Sequence, residues 1–298
     1  MSIFSPESVV APSCTLGEGP VWDSVNSRLL WVDIPEGNIH EWHPRDRRHE
    51  VTHVGVNVGA IALDAKDGLV AATARGFARV CLDDGLVRYI ADPESHLSDN
   101  RFNDGKSDPA GRFWAGTMDE VNNTPQAGKL YALEHDGSVS LKIPEVSCSN
   151  GMAWSLDNRV FYHIDTPTRE VTAYDYANET GAITNRRVTI VIPEEDGAPD
   201  GMTIDIEGML WIACWGGWKV ARWNPHTGQK LMEINLPVSL VTCCTFGGDS
   251  LNDLYITTAK GGLTDDELAA QPLAGSLFVV RNMRYTGREP FRVIRNYE

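Results

Sequence analysis

No run of this 298-residue chain approaches the about 20 consecutive apolar residues of a membrane-spanning helix, so a helical membrane protein is excluded. Bases are scarce: 26 Lys and Arg face 41 Asp and Glu, for a net charge of −15. That balance repels nucleic acid and anionic membrane surfaces, and neither is expected as a partner. The segment Met1-Ser2-Ile3-Phe4-Ser5-Pro6-Glu7 lacks a basic stretch followed by an apolar core, so no secretion signal is expected. The six cysteines have no C-x-x-C spacing, and the adjacent pair Cys243-Cys244 is poorly placed to bond to itself. A reduced, cytoplasmic protein is the expectation. Neither G-x-S-x-G nor H-E-x-x-H occurs, which leaves a serine esterase and a helix-borne zinc site without support. Gly105-Lys106-Ser107 resembles the end of a phosphate loop, but position 100 is Asn and no helical pattern follows.

Helix is equally scarce. Only Asp265 to Ala270 reads as one, with Thr264 as cap and Glu267 completing a capping box. What fills the chain is a repeated unit, clearest from Pro199 to Gly228. Pro199-Asp200-Gly201-Met202-Thr203-Ile204-Asp205 leads through a Glu207-Gly208 turn to Met209-Leu210-Trp211-Ile212-Ala213. Lys219 to Trp223 and a run near Leu231 to Ile234 follow. Period-two runs separated by Gly, Asn, Asp and Pro are antiparallel strands joined by tight turns. The second strand recurs from positions 28, 67, 111, 158, 208 and 252, at spacings of 39 to 50 residues. A repeat of that length with about four strands marks a β-propeller. The expected fold is all-β, a single six-bladed β-propeller domain over residues 1–298, with aromatics such as Trp31, Trp114 and Trp211 between blades. The sixth copy lacks an outer strand. Glu7-Ser8-Val9-Val10-Ala11 is the expected replacement, with Phe291-Arg292-Val293-Ile294 as its rival.

The first strand of a blade lines the central channel. Its opening residues are Glu18, Gly59, Asn103, Asn150, Asp200 and Cys244 in the six copies. Four carry oxygen side chains. Two carboxylates and two amides converging on an axis would be stabilised by a divalent cation, and all-oxygen ligation suits Ca, Mg or Mn. Zinc also accepts carboxylates. The competing explanation is that Asn and Asp before Gly are ordinary turn residues. Cys244 is expected to face the same mouth as filler, with Cys243 in the core, and His163 and Asp165 are expected to be satisfied packing residues.

Motifs in matching order over nearly the whole chain resemble the gluconolactonase/regucalcin (senescence-marker-protein) family. They include Leu16-Gly17-Glu18-Gly19-Pro20-Val21-Trp22, Asn100-Arg101-Phe102-Asn103-Asp104-Gly105-Lys106, Ser149-Asn150-Gly151-Met152, Pro199-Asp200-Gly201-Met202 and Cys243-Cys244-Thr245-Phe246-Gly247-Gly248. The resemblance implies a six-bladed propeller with one divalent metal ion in its channel, Ca, Mn, Zn or Mg, and hydrolysis of sugar lactones. It implies Glu18, Asn150 and Asp200 as metal ligands, Asp200 as proton acceptor and donor, and Arg101 and Asn103 as substrate contacts. Animal members carry two consecutive glutamates after Gly-Thr-Met; here the run is Asp119-Glu120-Val121, so Glu120 is the residue in place to touch substrate. Trp215-Gly216-Gly217-Trp218 is closer to bacterial sugar lactonases. The expected partner is a small-molecule sugar lactone, met by a monomer or weak dimer. Two rivals remain: a non-catalytic calcium-binding regulator, and a docking platform, which the polar channel mouth disfavours because interface cores are depleted in charge.

Overall fold

The computed structural model describes residues 4–297. They form six four-stranded antiparallel sheets. The inner strands are Gly17–Asp23, Val58–Leu63, Asn100–Ser107, Ser149–Trp154, Ala198–Ile204 and Val241–Gly247, in blades one to six. Each sheet is too small to stand alone, and each buries both faces against its neighbours. Between blades five and six, for example, Trp211, Val220, Ile234, Phe246, Leu254 and Phe278 form one cluster.

The second strands begin slightly later than the repeat suggests, at Leu69, Phe113, Val160, Leu210 and Asp253 in five blades. Their leading residues belong to the turns instead. Gly208, at φ 79°, shows why: only a residue free of Cβ crowding takes that conformation at low cost. A buried carboxylate organises the same turn. Asp205 Oδ1 accepts from the Glu207 and Met209 amides, and Oδ2 accepts from the Trp211 indole at 2.9 Å. Asp108 repeats the pattern with Ala110, Arg112 and Trp114.

Blade six is closed by the N-terminal strand Glu7–Val10, which pairs with Leu277–Val280. The expected rival, Phe291 to Ile294, does something else. From Asn282 onward the C-terminal segment crosses the far end of the channel and bonds to every blade in turn. Met283 N donates to Asn252 O, Ile206 N to Thr286 O, and Arg288 reaches Ser155 O. Arg292 pairs with Asp23, Val293 N donates to Leu63 O, and Ile294 N to Gly111 O. The helix Asp265–Ala270 has the expected capping box between Thr264 and Glu267. Among the described residues no helix is long and apolar enough to cross a membrane.

Candidate active site and metal centre in the channel

All six inner strands slip register at the same level. The shifts fall between Glu18 and Val21, Val58 and Ala60, Phe102 and Asp104, Asn150 and Met152, Pro199 and Met202, and Val241 and Cys243. A bulge bends the strand and re-aims the side chains beside it. Here six bulges turn one ring of residues to the channel mouth. Close approach requires glycine beside them: a Cβ on Gly201 would lie 2.2 Å from Cys243 Sγ.

Glu18, Asn150 and Asp200 meet at this level. The Asp200 carboxyl lies beside the Asn150 amide and the Glu18 carboxyl. Asn150 is held by its own Nδ2, which donates to Thr166 Oγ1 at 3.1 Å, and Thr166 Oγ1 donates to Pro199 O. The Gly19 amide donates to Glu18 Oε2 at 2.8 Å. Burial, and then the charge of Asp104, push the Asp200 carboxyl well above the ordinary range. Burial and the charges of Asp200 and Asp104 do the same to Glu18.

The rim is a second connected group. Arg101 Nε donates to Glu120 Oε1 at 2.6 Å, and Nη1 donates to Asn103 Oδ1 at 2.8 Å. Asn103 Nδ2 in turn donates to Ser149 O at 2.9 Å, one residue from Asn150. Arg101 is buried, whereas Glu120 is 43% exposed at the side chain and open to a ligand. The six residues singled out in the sequence therefore fall into two contiguous sets, an acidic floor and a polar rim.

Asp104 escaped the sequence reading. It is buried, its carboxyl is raised by burial, and the Lys106 charge partly offsets that effect. The signal was Asn103-Asp104, which falls inside the strand Asn100–Ser107 at its register slip, where a bulge lets neighbouring residues share the channel side. The two cysteines are a correction of the same origin. The slip between Val241 and Cys243 sends Cys243 to the channel, while Cys244 packs with Trp211 in the core between blades five and six. The expected assignment was the reverse. His163 and Asp165 are satisfied as expected: His163 Nε2 bonds Ser149 Oγ at 2.9 Å, and Asp165 accepts from the Ser147 and Cys148 amides.

Beyond the carboxylates lies a chamber of about 70 Å³, lined in part by Arg288, Glu289, Pro290 and Phe291 of the C-terminal segment that crosses this end. The site is therefore reached from the opposite mouth, where Arg101 and Glu120 stand.

Fold and channel together define a six-bladed propeller with an acidic, buried site on its axis. The chain belongs to the SMP-30/gluconolactonase/LRE-like family, whose model matches residues 16–260. It is 40% identical over 295 residues to the regucalcin of Oryctolagus cuniculus, covering 98% of this chain and 99% of that one. The solved structure of a luciferin-regenerating enzyme superposes with a TM-score of 0.91 at 31% identity, covering 97% of this chain and 99% of that chain. A calcium-binding protein, regucalcin, from Agrobacterium tumefaciens gives 0.92 at 28% identity, with 98% of each chain covered.

Proposed function

We propose that this protein hydrolyses a sugar lactone, of the aldonolactone type, to the corresponding sugar acid at the channel mouth. The observation that carries the reading is the meeting of Glu18, Asn150 and Asp200 beneath the Arg101–Asn103–Glu120 rim.

The donor set fits a divalent cation. Two buried carboxyls and an amide oxygen are hard ligands, and burial together with the nearby Asp104 charge raises both carboxyls well above the ordinary range, a cost that a bound cation would offset. Glu18, Asn150 and Asp200 would hold the ion, with Ca, Mn or Mg favoured by the oxygen donors and zinc admitted by the carboxylates. Such an ion, when bound, supplies positive charge that polarises the lactone carbonyl and makes a nearby water more acidic.

The remaining work falls to the chain. Asp200 takes a proton from the attacking water at its carboxylate oxygen and returns it to the ring oxygen as the ester bond breaks. Arg101 and Glu120 bind sugar hydroxyls from the rim. Asn103, fixed between Arg101 and Ser149 O, orients the substrate or a water beside it. Nucleic acid and membrane have no part in this reading, since the substrate is a free small molecule.

The test is acid release from a panel of aldonolactones, followed by pH indicator with and without chelator. Metal-dependent release is expected. Asp200→Ala is expected to abolish it while the protein stays folded, because a positioned proton-transfer group alone contributes roughly 10²–10⁴-fold. Wild-type rates in that variant would remove Asp200 from the mechanism. The regucalcin relatives favour one second reading, a calcium-binding regulator without catalysis. Calcium binding with no turnover of any lactone would decide for it.

A further inference from the structure

A different cluster lies at the seam where the ring closes. Cys14 sits between the closing strand Glu7–Val10 and blade one, and its amide donates to Gly275 O of blade six at 3.1 Å. Its sulfur faces two groups of blade one, the Asp33 carboxylate and His40 Nε2. One ligand atom from each of the three lies within 4.8 Å of the others, and all three residues are buried.

The geometry points to a second metal site, built from Cys14 Sγ, His40 Nε2 and an Asp33 oxygen, for a late divalent ion of the zinc class. Four observations carry it. Cys14 Sγ and His40 Nε2 are 3.8 Å apart. Two ligands on one tetrahedral zinc, at about 2.3 Å for sulfur and about 2.0 Å for nitrogen, stand roughly 3.5 Å apart, so little movement is needed. His40 Nδ1 is 2.9 Å from His49 Nε2, and a proton on that Nδ1 leaves the Nε2 lone pair facing the thiol. An outer hydrogen bond of this kind is the usual support for a metal-ligating imidazole. The Trp31 indole N–H donates to Cys14 Sγ at 3.4 Å, a bond that favours the thiolate a metal needs and partly offsets the burial that raises this thiol.

Charge supplies the fourth. Asp33 is 1% exposed and accepts the Thr15 and Leu16 amides, each at 2.9 Å. Among the described residues no Lys, Arg or His forms an ion pair with it within 4.0 Å. A divalent ion beside one carboxylate and one thiolate gives a neutral site. Binding replaces the Cys14 S–H bond with a metal–sulfur bond, and the proton leaves to solvent. Ala11, Pro12 and Ser13, which lead directly into Cys14, are exposed. The sulfur, nitrogen and oxygen donors differ in kind from the oxygen-only channel, so the two sites would select different ions. The second cluster of this sort, Glu41, His43 and Glu50, is already occupied by Arg28 and Arg48, which pair with its carboxylates.

Cobalt tests this because its absorption reports the ligands. Metal-free protein titrated with Co²⁺ is expected to develop a thiolate-to-cobalt charge-transfer band and intense tetrahedral bands, both bleached by Zn²⁺. Asp200→Asn, which alters only the channel, is expected to keep them. Cys14→Ser and His40→Gln are each expected to lose them. No such bands in the wild-type protein at saturating Co²⁺ would overturn the proposal, as would unaltered bands in either folded variant. Should Cys14→Ser fail to fold, His40→Gln and Asp33→Asn decide. Zn²⁺ is also expected to raise the melting temperature of the Asp200→Asn protein and to leave that of Asp200→Asn/His40→Gln unchanged, since the ion would tie the ring-closing linker to blade one.

Discussion

At the scale of single residues, burial shifts the protonation of the groups inside the ring. His163 shows the sign of the effect away from the carboxylates. Burial drives its imidazole from 6.5 down to about 3, so the folded protein keeps it neutral while the unfolded chain takes up a proton. Stability is therefore full above pH 6.5 and falls as pH drops through the window to about 3, by up to about 1.4 kcal/mol for each pH unit. His40, lowered to about 4 by burial and by His49, adds to the same limb. His163→Gln should flatten that limb in urea titrations at several pH values without removing it. At the rim, Glu120→Gln should lower kcat/KM for the preferred lactone about 10–100-fold, the range of one hydrogen bond to a charged group. Most of that loss should appear in KM. That Glu18, Asn103, Asn150 and Asp200 stand beside matching register slips of four inner strands was legible from repeat phase alone. Asp104 and the Cys243–Cys244 orientation were not, because a one-residue bulge reverses which side chains face the axis and leaves no mark in an alternating pattern.

At the scale of elements, each blade depends on neighbours for both faces, so its weak point is an edge. The N-terminal strand Glu7–Val10 covers the edge of Leu277–Val280, a run that is buried throughout. A chain starting at Ala11 should expose that apolar strand and self-associate, visible as higher-order species by size-exclusion chromatography. A monomeric, equally stable product would show that blade six does not need its fourth strand. The strands themselves were readable because Gly, Asn and Asp turns punctuate them. The helix was readable because a capping box is a local device.

At the scale of the molecule, the ring is held by two devices, one at each end of the chain. The N-terminal strand closes it laterally, and the C-terminal segment binds all six blades across the far mouth. Arg295 and Asp64 form the buried ion pair of that segment, with both residues under 10% exposed. Arg295→Ala should cost about 3–5 kcal/mol, read by denaturant unfolding, because it strands a buried carboxylate. Adding Asp64→Asn should recover part of the loss. The sequence by itself determined the blade count, the strand spacing, the family and the residues at the channel mouth, since all follow from periodicity and local turn chemistry. Only the tertiary structure decided which terminus closes the ring, which end of the channel is shut, and that Cys14 meets Asp33 and His40. Those contacts join segments far apart in the chain through bulges and long connections, and no local pattern encodes where such segments come to rest.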